Sequence, residues 1–142
     1  MVRDKLDTLL RLRRLAVQDG MRALAEAIRI EEQACQAQAA CAQAIVQETA
    51  EARHLADRDA TLAGFVPWRA RAAQALRDAE AHVAEAGEAT QTARAMLGDA
   101  RGAMRAMELA LERRQAATEL AVQRSAQHAL DDAARRAGVA KG

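Results

Sequence analysis

Aromatic side chains are nearly missing: 142 residues hold one phenylalanine, one tryptophan and no tyrosine. So little bulky mass cannot fill a thick globular core. Serine occurs once, at Ser125, and there is no serine–glycine elbow, GxxxxGK(S/T) phosphate loop, HExxH pair or clustered Cys/His set. No stretch approaches the ~20 uninterrupted apolar residues of a membrane span, because charges recur throughout. The N-terminus is basic but no apolar run follows it, so it does not read as a secretory signal. Cytoplasmic residence is the expectation.

Cysteine is also scarce. Cys35 and Cys41 are six apart, which on a helix sets them about 240° apart around the axis, so they can neither bridge nor chelate within it. They read as small seam-filling residues of a reducing compartment, with an intermolecular disulfide as the alternative. His54, His82 and His128 are far apart along the chain and read as solvated or rim residues rather than metal ligands. Neither a metal nor a cofactor is called for.

What the chain has in excess is alanine, at 39 of 142 positions, with 29% charged residues. That mixture suits two long helices packed closely along a narrow seam. The expected fold is all-α, an antiparallel coiled-coil hairpin forming a single domain over 1–142. Its bend is expected at about 59–67, where DATLAGFVPW holds the only glycine between positions 21 and 86, the only proline and both aromatics.

Arm one is expected over about 4–58, with Asp4 or Asp7 as N-cap and a seam through Leu24, Ile28, Glu31, Cys35, Gln38, Ala42, Ile45 and Thr49. An adjoining row, Ala23, Ala27, Ile30, Ala34, Ala37 and Cys41, widens this face. Gly20 softens the arm by about 1 kcal/mol relative to alanine. Arm two is expected over about 68–137, with Pro67 at the first helical position and Gly138 as a stop. Its row runs from Leu76, Ala79, Val83, Ala86 and Thr90 through Leu97, Met104 and Leu111 to Thr118, Ser125 and His128, a sustained 3.5-residue period. Folding about Gly64 would make paired positions sum to about 128, Leu24 facing Met104 and Leu10 facing Thr118.

A two-helix hairpin has no interior for a catalytic site, so the chain does not read as an enzyme. Charge is the more informative signal. Residues 1–14 and 113–142 each carry a net charge of +3, and residues 15–112 carry −5. A hairpin would join the two basic ends some ~80 Å from the bend, with Arg11, Arg13 and Arg14 facing Arg113, Arg114 and Arg124. These arginines read either as a solvated face with partners such as Glu108 and Glu112, or as a surface for an acidic protein. The acidic stem, the near-neutral total and the lack of interleaved aromatics argue against nucleic acid. At the other end, Phe65 and Trp68 either plug the seam or stand out as an anchor beside the smooth face of Ala70, Ala72, Ala73 and Ala75.

Three stretches resemble a known family, the small soluble stalk proteins of flagellar and virulence type III export machines (FliJ/YscO type). They are the opening LDTLLRL at Leu6–Leu12, the aromatic tip at Phe65–Trp68, and the closing ERRQAATELAVQRSAQHALDDAARRAG at Glu112–Gly138. The resemblance implies an antiparallel coiled coil whose paired ends enter a hexameric export ATPase and promote its assembly. It also implies contacts with a membrane export gate protein and with export chaperones, at the cytoplasmic face of the membrane and peripheral to it through partners only. Carried onto this chain, Arg11, Arg13, Arg14, Arg113, Arg114, Gln115 and Arg124 would meet the ATPase, and Phe65, Trp68, Ala72 and Ala75 the gate. The alternative is a coiled-coil secretion chaperone or a self-associating scaffold.

Overall fold

The computed structural model describes residues 2–54 and 59–141, with side chains over 5–54 and 63–141. It is all-α: α1 (Val2–His54) and α2 (Asp59–Ala140) pack against each other as an antiparallel hairpin. Both helices run through two compact units, Leu15–Ala100 and the pair of segments Met1–Arg14 with Arg101–Gly142.

In the Leu15–Ala100 unit the α1 seam is Val17, Gly20, Leu24, Ala27, Glu31, Ala34, Gln38, Cys41 and Ile45, all buried or half-buried. Alternating steps of three and four keep these residues on one side of a helix wound at 3.5 residues per turn. Cys35 and Ala42, expected on the seam, are exposed; Ala34 and Cys41 from the adjoining row take those places. The α2 row agrees with its expected course: Leu76, Ala79, Val83, Ala86, Thr90, Ala93, Leu97 and Ala100 are each buried or half-buried.

Gly20 is a contact point rather than a soft spot. A Cβ built there would lie 3.2 Å from Leu97 Cδ1 and 3.6 Å from Leu97 Cα, so the missing side chain is what lets the two backbones approach. The same pairing, with Glu31 Oε1 3.6 Å from a Cβ on Gly87, shifts the register about eleven residues, three helical turns, from the one expected. The cause is the position of the bend. α2 starts at Asp59, so the expected bend at 59–67 is helical and Pro67 lies inside the helix. The end of arm one, 55–58, lies outside the described residues.

Thr90 is 1% exposed, and its hydroxyl has no hydrogen-bond partner among the described residues. A buried, unmatched hydroxyl costs about 1–3 kcal/mol relative to a methyl of the same shape. Thr90→Val should therefore raise the unfolding free energy by about 1 kcal/mol, measured by urea denaturation; an equal loss would mean that the hydroxyl is satisfied in solution.

In the other unit, Met104, Met107 and Leu111 continue the row half-buried, and there burial ends. Arg114, Thr118, Ala121, Ser125 and His128, expected to extend the seam, are exposed, as is every residue from Glu112 to Lys141. Asp4 and Asp7 lie within α1 and are not its N-cap, and Gly138 lies within α2 instead of stopping it.

Candidate functional site

The first turns of α1 meet α2 along a groove of about 500 Å³ lined by Leu6, Asp7, Leu10, Leu111, Arg114, Gln115, Thr118 and Glu119. Leucines at 6 and 10 are one helical turn apart and so share a face. That face brings the opening of the chain beside Arg114 and Gln115. Arg11, Arg13, Arg14 and Arg113 belong to the same unit and are exposed. Arg124 does too, but it lies past Glu119, the last residue of the groove.

The ion pairs among the described residues are local contacts within one helix. Arg22 pairs with Asp19 at 3.5 Å, His82 lies 3.7 Å from Glu85, and Arg29 holds Glu26 with Nε at 2.9 Å. The Arg29 hydrogen bond keeps the Glu26 carboxyl below its ordinary pKa, and that bond raises Arg29 in turn. Glu108 and Glu112, the expected partners of Arg113, are both taken by Arg105, at 3.4 and 3.5 Å. Among the described residues the side chains of Arg11, Arg13, Arg14, Arg113, Arg114 and Arg124 make no ion pair. A cluster of cations that outnumber the carboxylates beside them, Asp7 and Glu119, concentrates positive potential where an acidic partner can use it.

The aromatic pair is neither a free anchor nor a sealed plug. Phe65 and Trp68 are half-buried and stack on each other, ring centroids 5.6 Å apart and planes 24° from parallel. With Ala72, also half-buried, they start the α2 row three and four residues apart, so the register that makes the seam also turns the aromatics into it. Ala75 is exposed and lines a shallow groove of about 710 Å³ with Ile30, Ala34, Ala37, Ala79 and His82. Sequence reasoning had no signal for this groove, because the small residues that form it come from both helices.

Cys35 and Cys41 are free thiols. Among the described residues no group of three or more His, Cys, Asp or Glu is placed to hold a metal, and no helix is long and apolar enough to cross a membrane. No family model, curated protein or solved structure matches the chain.

Proposed function

We propose that the chain is a non-catalytic, soluble stalk and coupling factor of a type III protein export apparatus, acting in the cytoplasm. In this reading its paired basic end enters the hexameric export ATPase, and the region of Phe65, Trp68, Ala72 and Ala75 meets the membrane export gate. The observation that carries it is the arginine cluster on an antiparallel helix pair, with the carboxylates of Glu108 and Glu112 engaged by Arg105. Rigid helices bearing an unneutralised charged end suit insertion into a complementary acidic opening. Enzyme chemistry has no part in this reading, and neither do cofactors or nucleic acid. Export chaperones fit the groove beside Ala75, whose small side chains leave room for a third helix.

Adding the protein to the cognate export ATPase should increase ring assembly, seen by light scattering, and the rate of ATP hydrolysis. No change in either would count heavily against the proposal. Reversing Arg13, Arg14 and Arg114 to glutamate should remove the stimulation, about tenfold or more in apparent affinity, and leave far-UV circular dichroism unaltered. Trp68 is half-buried, so the gate contact is better probed by Ala75→Arg, which should spare ATPase stimulation and weaken gate binding. Should both variants behave alike, the two-ended model fails.

The second reading, a secretion chaperone or scaffold that self-associates, is favoured by the apolar residues left open along α2. Val122 and Leu130 are 64% and 66% exposed.

A further inference from the structure

Beyond Glu119 nothing among the described residues packs against α2, yet its apolar row does not stop. Up to Leu111 the row keeps a heptad spacing through Leu97 and Met104. Past Leu111 the spacing changes to eleven: Leu111 to Val122 to Ala133, with Ala126 to Ala137 and Ala129 to Ala140 alongside. Eleven residues close almost three whole turns, so these side chains stay within about 50° of one line along a nearly straight helix. A heptad helix such as α1 would drift off that line. A helix with the same eleven-residue spacing would not, and this stretch of a second copy has it.

We propose that residues 120–140 of α2 pair antiparallel with the same residues of a second copy, about a two-fold axis beside Ala129 and Leu130. The face is continuous with the seam already formed, and the charge pair on its flank suits this one register. In a two-fold antiparallel pair each flank meets its own symmetry mate. One flank carries Glu119 and Lys141, equally far from the axis, so each glutamate meets the other copy's lysine. His128 and Asp132 lie about 100° or more from the apolar line, toward the outer side, and take no part in the pairing. Leu130, now exposed, falls against its own mate. Arg124, Arg135 and Asp131, the last bonded by Gln127 at 3.1 Å, lie on the outer side, so no like charges are opposed near the axis.

The pairing goes beyond the stalk reading and does not depend on it. Twenty-one mostly small residues per helix make an interface below the standard size, so the dimer is reversible, with a dissociation constant on the order of 10 µM.

Sedimentation equilibrium of the full chain across that concentration range should show a monomer–dimer equilibrium; a monomer throughout overturns the proposal. Glu119→Lys and Lys141→Glu should each weaken dimerisation about tenfold, and the double reversal should restore it. Failure of the double variant to recover overturns the register. In a Cys35→Ser, Cys41→Ser background, Ala129→Cys should crosslink the two copies under mild oxidation. Val122→Cys should not, because its two copies stand about 24 Å apart along the axis. Crosslinking at both positions means parallel pairing and overturns the proposal, as does crosslinking at neither. All these substitutions are at exposed helical sites, and circular dichroism of each variant verifies that the helices remain.

Discussion

Leu97→Ala should lower the unfolding free energy by about 2–3 kcal/mol, read from the urea midpoint by far-UV circular dichroism. Leu97 is 5% exposed, and among the described residues its only companions as buried apolar side chains are Val17 and Ala86. In a seam built largely of alanine, one fully buried leucine carries a disproportionate share of the area removed from water. The loss stays in the lower part of the range for core leucines because Gly20 opposite has no side chain to hold the cavity open, and the helices can close on it.

The contact makes a second variant diagnostic. Gly20→Ala in the parent gains helix propensity, about 1 kcal/mol, but sets its Cβ 3.2 Å from Leu97 Cδ1, and the two effects nearly cancel. In the Leu97→Ala background the obstruction is gone, and the same change should stabilise by about 1 kcal/mol. The coupling between the two sites is then about 1 kcal/mol. Additive effects would mean that Gly20 and Leu97 do not touch in solution.

Pro67→Ala should raise stability by about 1–3 kcal/mol. Pro67 is the ninth residue of α2, where a proline removes one backbone hydrogen bond and its ring crowds the carbonyl of Ala63. At a first helical position, as the sequence led one to expect, the missing N–H is an orphan anyway and alanine would bring almost nothing. One substitution therefore separates the two placements of the bend. Hydrogen exchange gives the same answer locally: amides from Phe65 to Arg71 should gain protection in the variant if the helix starts at Asp59, and change little if it starts at Pro67.

The arginine site was legible in part. Two basic blocks at opposite ends of a chain that folds back once must approach each other whatever the details, and Leu6 and Leu10 do lie beside Arg114 and Gln115. The partners of those charges were not legible. Neighbours in sequence point about 100° apart on a helix, so Glu112 turns away from Arg113 and is reached by Arg105 two turns before it. Phe65 and Trp68 stood out as rare residues in an unusual stretch. Rarity cannot say which way a ring faces, and the stacked pair turned out to begin the seam.

Composition and periodicity by themselves determined that this protein is helical, that it is a pair of helices and not a globule, and which α2 residues form the seam from Leu76 to Leu111. Those conclusions depend on local quantities, namely the propensity of alanine and a repeat that persists regardless of what lies opposite. Tertiary structure alone decided the register, the choice of Ala34 and Cys41 over Cys35 and Ala42, and the point past Leu111 where burial ends. Alanine rows on neighbouring faces of α1 are almost equally apolar, so the pattern could not choose between them. The choice came from fit: Leu97 packs into the space that Gly20 leaves on α1.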